Sequence, residues 1–364
     1  MRTRISFFLL ICLVFVGKAQ EFSITHDGLL RTYRLHLPAN YDQDSIYPLV
    51  INMHGLGSNA WEQELYTQFN NVSDTGRFLV AYPNGINETW NVSSETGTDD
   101  VGFISALIDS LDAEFSIDLQ RVYATGMSMG GFMSYRLACQ LSDRIAAIAS
   151  VTGLQAYYPC NPVRPVPVAQ FHGTLDPIVP YAGVATTINN WVSNNGCPDT
   201  SVITDLPDID TTDNSTVTVS YYGLCNDSTE VILYTIIGGE HTWPGAPINI
   251  GVTNFDIHAS NEIWKFFTKF NLQGSTEVYE EIYESFYCKI YPNPVSDFAV
   301  IEVNQVVPGA FTFRLFDTGG KKLIELGNIH TPRFPVDFGA IPPGFYIASF
   351  SGDGWNTRGK VVVR

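Results

Sequence analysis

The stretch Tyr123-Ala-Thr-Gly126-Met-Ser128-Met-Gly130-Gly131 decides the fold of this chain. It places the pattern Gly-x-Ser-x-Gly between an apolar run, 121–124, and a helix-like run, 132–141. A strand, a sharp turn and a helix in this order predict a nucleophile elbow, in which the serine occupies a strained turn. The glycines remove side chains that would collide in the bend. The helix directs backbone N–H groups at developing negative charge. The pattern also occurs by chance in glycine-rich turns, so the rest of the chain must support it.

Short apolar runs recur on both sides of this stretch. We expect strands at 30–37, 47–53, 78–82, 121–124, 145–151, 166–171, 217–222 and 231–237. Helical spacing predicts helices at 99–115, 132–141, 186–193 and 261–270, the first with an aspartate as its N-cap. Most of these strands are apolar on both faces and alternate with helices. This pattern indicates an α/β domain whose mainly parallel sheet is covered on both faces. Sites in such sheets lie at the carboxyl ends of the strands.

Ser128 needs a base to take its proton and a third group to orient that base. His241 is the predicted base, because it follows the strand 231–237 and the flexible pair Gly238-Gly239. It therefore lies on a loop at a strand end. His258 is the alternative, but it directly precedes the last helix and is expected to face solvent.

Asp176 is the predicted acid, because it follows the strand ending at Phe171 by a short turn. Glu240 is adjacent to the base but is expected to point elsewhere, and Asp208 has no strand just before it. The pair Asp99-Asp100 precedes the serine, whereas the acid of such triads follows it.

The negative charge that develops during attack at a carbonyl needs two N–H donors. We expect one from Met129, directly after the serine, and one from Leu56, which is preferred over Gly55 in the loop after the strand 47–53. His54 and His172 are expected to be structural. Trp90 and Trp243 are candidate walls for a substrate group, with packing in the core as the equal alternative.

The first nineteen residues predict a signal peptide. A basic start precedes the apolar run 5–16, which is too short to span a bilayer comfortably, and cleavage is expected after Ala19. An uncleaved anchor is the alternative. Cleavage leaves 17 basic against 37 acidic residues, a net charge of −20, which disfavours binding to nucleic acid or anionic membranes. No other stretch is apolar enough to predict a membrane span.

Five cysteines remain after cleavage, and an exported protein is expected to pair them. Proximity suggests Cys139 with Cys160 and Cys197 with Cys225, although spacing does not determine connectivity, and Cys288 is left without a predicted partner. None has metal-ligand spacing, and we predict no cofactor and no metal.

The composition changes after residue 272. We expect a linker at 273–287, which is acidic and contains tyrosines, and a small all-β sandwich at 288–364. Strand-like runs at 299–303, 311–316, 345–350 and 360–363, separated by turn residues, support the sandwich.

The motifs of residues 25–272 together resemble the polyhydroxybutyrate depolymerase / feruloyl esterase group of carbohydrate esterase family 1. They are His54-Gly-Leu-Gly-Ser58, Ala81-Tyr-Pro-Asn-Gly85 with Trp90, Asp99-Asp-Val-Gly-Phe-Ile104, Gly126-Met-Ser-Met-Gly-Gly131, Phe171-His-Gly-Thr-Leu-Asp176 with Val179-Pro-Tyr181, and Gly239-Glu-His-Thr-Trp-Pro-Gly245. The resemblance implies an α/β-hydrolase fold at 20–272 and a secreted serine esterase with Ser128, Asp176 and His241 as its triad. Members cleave feruloyl or acetyl esters on plant polysaccharide, or short polyesters.

The end of the chain resembles a type A C-terminal sorting domain of type IX secretion. The motifs are Tyr291-Pro-Asn-Pro294, Phe316-Asp-Thr-Gly319, Pro343-Gly-Phe-Tyr346 and the basic end 360–364. The resemblance implies export by the type IX secretion machinery of a Gram-negative cell, to the medium or the cell surface. A peptidase on the same fold and a non-catalytic surface protein that binds polysaccharide are the alternative functions. The intact order of the triad disfavours the second.

Overall fold

The computed structural model of the protein describes residues 20–93, 95–275, 288–303, 310–317, 319–331, 333–352 and 355–364. The predicted signal peptide at 1–19 and residues 276–287 of the predicted linker lie outside this range. The chain divides into two compact units, with the division after residue 277.

The first unit is built on a ten-stranded sheet. Its strands are β1 (Gln20–His26), β2 (Leu29–His36), β3 (Tyr47–Met53), β4 (Leu79–Pro83), β5 (Ile117–Met127), β6 (Ala147–Val151), β7 (Val168–Gly173), β8 (Val202–Asp205), β9 (Thr216–Tyr222) and β10 (Val231–Ile237). They lie in the order β1-β2-β4-β3-β5-β6-β7-β10-β9-β8. The six central strands, β4 to β10 in that order, run parallel, and the pairs at both edges are antiparallel.

Helices cover both faces of this sheet. They are α1 (Ala60–Thr67), α2 (Phe69–Gly76), α3 (Asp100–Glu114), α4 (Met129–Gln140), α5 (Val184–Asn194) and α6 (Ala259–Phe267), and the short strands β11 (Phe270–Asn271) and β12 (Gly274–Ser275) follow. Buried side chains of α3, α4 and α5 share one core with the sheet, and those of α1, α2 and α6 share a second core. Strand β5 supplies Val122 and Ala124 to the first core and Tyr123 and Met127 to the second, because successive side chains of a strand point to opposite faces. The predicted architecture is confirmed.

Two disulfides cross-link segments of this unit. Cys139 is bonded to Cys160 and Cys197 to Cys225, with Cα–Cα distances of 5.0 and 3.9 Å. These are the pairs that sequence proximity suggests. No helix of the described residues is long and apolar enough to cross a membrane.

The second unit contains only strands in its described residues. They are β13 (Cys288–Tyr291), β14 (Phe298–Val303), β15 (Phe311–Asp317), β16 (Lys322–Ile329), β17 (Arg333–Asp337), β18 (Gly344–Gly352) and β19 (Trp355–Val363). They form two antiparallel sheets, β13-β14-β17 and β16-β15-β18-β19. Buried side chains of both sheets, including Ile301 and Phe313, form one core. This agrees with the predicted all-β unit.

Candidate active site

Ser128 occupies the turn between β5 and α4 with backbone angles φ 52° and ψ −118°. This combination of φ and ψ lies outside the small left-handed region that is open to residues with a side chain, and backbone strain of this kind clusters at functional sites. The N–H of Ser128 donates to Val151 O at 2.8 Å, at the end of the neighbouring strand β6. The predicted strand–turn–helix geometry is therefore present.

The two flanking glycines are required by the end of strand β3. A Cβ atom on Gly126 would lie 2.5 Å from Met53 O, and one on Gly130 would lie 2.0 Å from the same oxygen. Both distances are far below van der Waals contact. The bend can therefore pack against β3 only when both positions lack a side chain.

The loop after β3 passes over the serine. A Cβ built on Gly55 would lie 3.4 Å from Ser128 Cβ, so the backbone that carries Leu56 is adjacent to the elbow. The side chain of Leu56 is exposed. In the described part of the chain, the N–H of Leu56 donates to no protein acceptor. The environment of this N–H group is compatible with its predicted role as a hydrogen-bond donor to the oxyanion.

The side chain of His54 holds this loop in place through hydrogen bonds. Its ring is fully buried, with Nδ1 donating to Gly55 O (2.7 Å) and Nε2 accepting from Gly85 N–H (3.0 Å). Burial lowers the pKa of His54, which keeps the ring neutral for this pair of bonds. Trp90 is 3% exposed and donates its Nε1–H to His54 O at 3.0 Å. Trp90 thus supports the loop from the core.

Met129, the other predicted donor, begins helix α4, and the first N–H groups of a helix have no partner within it. The side chain of Met129 lies against the segment before Asn91. Its Sδ accepts from Thr89 Oγ1 at 3.1 Å and from Trp90 N–H at 3.3 Å. The sequence did not identify Thr89, because a lone threonine after a loop carries no pattern.

Asp176 and His241 meet, although 65 residues separate them in the chain. The Nδ1–H of His241 donates to Asp176 Oδ2 at 2.7 Å, and the side chain of Asp176 is fully buried. The loops after β7 and β10 pack closely, since a Cβ on Gly173 would lie 2.3 Å from Gly239 O. His241 keeps 14% of its side chain exposed, so it can reach a substrate.

The remaining oxygen of Asp176 is held by its own loop. Oδ1 accepts the N–H groups of Ile178 and Val179, each at 2.8 Å. Burial disfavours the Asp176 carboxylate, but the hydrogen bonds from His241, Val179 and Ile178 outweigh it and hold its pKa below the ordinary value. The carboxylate is therefore ionised at neutral pH and orients the imidazole by charge as well as by direction.

The structure places Trp243 in the core, at 0% exposure, with its Nε1–H donating to Ser260 Oγ at 3.2 Å. Trp90 and Trp243 therefore both adopt the packing alternative, and neither indole forms a substrate wall.

His258 also departs from expectation: it is half-buried, and its Nδ1 is buried without a partner among the described residues. Burial lowers its pKa. Glu240 points away from the triad and accepts from Val252 N–H at 3.0 Å, as expected.

Among the described residues, no group of three or more His, Cys, Asp or Glu side chains is arranged to hold a metal ion. The arrangement present is a strained serine, a carboxylate–imidazole pair and a loop of backbone N–H groups. This set can activate an oxygen nucleophile and stabilise an oxyanion.

Comparison with known proteins agrees with this chemistry. Residues 31–158 match the model of the esterase PHB depolymerase family. The chain is 30% identical over 244 residues to a protein named "Probable feruloyl esterase C" from Aspergillus oryzae, a match that covers 65% of this chain and 83% of the relative. The chain belongs to the esterase PHB depolymerase family. As a member of that family, it is a carboxylic ester hydrolase.

Two further matches bear on this esterase. The bifunctional acetylxylan esterase/xylanase XynS20E of Neocallimastix patriciarum is 28% identical over 250 residues, which cover 68% of this chain. The match covers only 34% of that longer relative. The acetyl xylan esterase from Aspergillus awamori is 17% identical, with a TM-score of 0.50 over 68% of this chain and 98% of that one. This likeness shows the α/β-hydrolase fold.

Residues 289–364 match the secretion system C-terminal sorting domain. The esterase therefore carries an export signal at its C-terminal end. Together with the two disulfides, which form in oxidising compartments, the sorting domain indicates a secreted or cell-surface enzyme.

Proposed function

We propose that the protein is a secreted serine esterase that removes feruloyl or acetyl groups from plant cell-wall polysaccharide. The observation that supports it most directly is the 2.7 Å bond between His241 and the buried Asp176, at the same edge of the sheet as the strained Ser128. The names of the relatives from Aspergillus oryzae and Neocallimastix patriciarum refer to feruloyl and acetylxylan esters. A hydroxyalkanoate polyester, which the family's name suggests, is the other candidate ester.

In this proposal, Ser128 Oγ attacks the ester carbonyl while Nε2 of His241 takes its proton. Nδ1 of His241 is bonded to Asp176, so Nε2 is the ring nitrogen left for the serine. The N–H groups of Met129 and Leu56 hold the oxyanion, and each such donor typically contributes about 3 kcal/mol. His241 then protonates the leaving alkoxide, and water repeats the sequence on the acyl-enzyme.

Ser128→Ala tests the nucleophile. Turnover of p-nitrophenyl acetate should fall by about 10⁶-fold, as it does when the serine of a comparable triad is removed. Ser150→Ala is a matched control, because Ser150 is fully buried on the next strand and its hydroxyl has no partner among the described residues. Retention of most activity by the Ser128 variant would contradict the proposal.

A hydrolysis panel tests the substrate class. We expect methyl ferulate and acetylated xylan to be hydrolysed faster than poly-3-hydroxybutyrate, and peptide substrates to be left intact. Preference for the polyester would retain the serine mechanism and reject the polysaccharide substrate. Cleavage of peptides but not esters would reject both.

We also propose that residues 1–19 are a signal peptide, cleaved after Ala19, and that residues 288–364 direct the final step across the outer membrane. The protein without residues 288–364 should remain in the periplasm with its esterase activity intact. Its normal appearance in the medium would contradict a sorting role for this unit.

A further inference from the structure

A series of buried hydrogen bonds runs from helix α4, behind the nucleophile, to the loop that carries Asp176. Tyr135 on α4 donates its hydroxyl to Gln170 Oε1 at 2.7 Å, and Gln170 Nε2 donates to His172 Nδ1 at 3.0 Å. His172 Nε2 in turn donates to Val179 O at 2.8 Å. All three side chains have 0% exposure. The series therefore connects the helix to the loop without contacting solvent.

The surroundings of Gln170 determine which nitrogen of His172 carries the proton. Besides His172 Nδ1, the amide nitrogen of Gln170 faces Gly153 O at 2.9 Å and Phe171 O at 3.3 Å. A rotation of the amide by 180° would place Oε1 against both carbonyl oxygens and is unfavourable. Nδ1 of His172 must therefore accept, and the ring proton must lie on Nε2, where Val179 O receives it. Burial lowers the pKa of His172 and keeps the ring neutral.

Val179 transmits this restraint to the acid. Its carbonyl is held by His172, while its N–H donates to Asp176 Oδ1 at 2.8 Å. The other oxygen of Asp176 accepts from His241 at 2.7 Å, and His172 Nε2 lies 3.4 Å from the same oxygen. The imidazole of His172 thus fixes the peptide of Val179, which orients the Asp176 carboxylate. Its Nε2–H also places a dipole near the carboxylate oxygen that accepts from His241.

We propose that His172 is a positioning residue, which fixes Asp176 through Val179 in the orientation that directs His241 at the nucleophile. The link through Gln170 and Tyr135 ties the acid loop to α4, the helix that begins directly after Ser128. Acid and nucleophile are then held relative to one another. The inference rests on the proposed function, because it requires Asp176 and His241 to act as acid and base.

Two substitutions separate the hydrogen bond from the packing of the ring. His172→Phe keeps the ring volume and removes both nitrogens, whereas His172→Gln places an amide donor near the position of Nε2. We expect kcat to fall about 10- to 100-fold in the Phe variant, the effect of a small misplacement of catalytic groups, with KM little changed. The Gln variant should recover most of this loss.

The pH profile supplies a readout that packing alone would not move. Asp176 and His241 are the titratable groups that face His172, and the ring of Tyr181 packs at its edge with a centroid distance of 6.0 Å. A loosely held carboxylate stabilises protonated His241 less. The acidic limb of kcat/KM should therefore move to lower pH in His172→Phe and return in His172→Gln.

Tyr181→Phe is the control, since it removes a 2.9 Å bond to Thr235 from the same loop without touching Asp176. It should leave kcat and the pH limb unchanged. The proposal would be overturned if His172→Phe kept the kcat and the acidic limb of the wild type. It would also be overturned if the Phe and Gln variants lost kcat equally. If His172→Phe does not fold, Gln170→Met, which releases the imidazole, should reproduce the pH shift, and an unchanged limb would overturn it. Failure of the proposed function is distinct, because Ser128→Ala would then remain active.

Discussion

Asp176→Asn should inactivate the enzyme while leaving it folded, and the geometry of the acid explains why. Oδ1 accepts two backbone N–H groups, from Ile178 and Val179, and Oδ2 accepts the Nδ1–H of His241. The asparagine oxygen must therefore take the Oδ1 position, which turns the amide NH₂ towards His241. Nδ1 then has to accept, and the ring proton moves to Nε2. In that tautomer the imidazole cannot take a proton from Ser128.

The size of the effect follows from the two backbone bonds. The opposite amide rotamer leaves both buried N–H groups facing NH₂, at about 1–3 kcal/mol each. At a total of only 2 kcal/mol, the competent rotamer would make up about 3% of the molecules. The same substitution in a serine protease triad lowers kcat by about 10⁴-fold, and we expect a loss of that order here.

The assay is steady-state hydrolysis of methyl ferulate, with thermal unfolding to verify that the variant is folded. Glu240→Gln is the matched control, because this neighbouring carboxylate bonds only Val252 N–H among the described residues, and glutamine keeps an acceptor oxygen there. The control should stay within about threefold of wild type. A loss below tenfold in folded Asp176→Asn would refute the tautomer argument.

Three further results are expected. Gly130→Ala should destabilise the fold by about 3 kcal/mol or more, because its Cβ would lie 2.0 Å from Met53 O, and urea unfolding measures this. Replacement of Cys139 and Cys160 by alanine should lower the free energy of unfolding by about 2–4 kcal/mol, which is measured as a lower Tm. Because the variant has no bond at this site, reductant should cause no further loss of Tm through this pair. The pKa of Asp176 is lower in the folded state, so its contribution to stability is present above the unfolded value of about 3.9 and disappears as pH falls through the lower folded value. The difference in unfolding free energy between wild type and Asp176→Asn should therefore shrink below pH 4, and a constant difference would contradict the assignment.

The central strands and the elbow could be predicted because their signals are local. An apolar run of four to seven residues indicates a strand that is covered on both faces, and the glycines around Ser128 correspond to the contact with Met53. The chain order of Asp176 and His241 completes the site, since the carboxyl ends of parallel strands share one edge of the sheet.

Helix α1 (Ala60–Thr67) was not predicted, because polar side chains occupy much of its buried face and an apolar side chain is exposed. Its buried positions include Gln63 and Thr67, which bond Asn52 on β3, while Trp61 is exposed. Helical periodicity of apolar residues is absent in such a segment. Strand β1 at the edge and the short exposed β8 (Val202–Asp205) were likewise not predicted.

Tertiary contacts also decide the roles that the sequence left open. Trp243 lies two residues from His241 and could face the cleft or the interior, and packing against Phe69 places it inside. The hydrogen bond between Gln170 and Tyr135 joins residues 35 positions apart. No spacing rule in the sequence identifies such a pair.

Labelling with a fluorophosphonate probe, mapped by mass spectrometry, tests the central claim most directly. The reagent reacts with a serine only where a base activates it and an oxyanion site receives the phosphonyl oxygen. We predict one adduct on the peptide that contains Ser128, loss of esterase activity in proportion to labelling, and no adduct in Ser128→Ala. An enzyme that stays unlabelled while it hydrolyses esters, or that carries its adduct on another residue, would contradict the account.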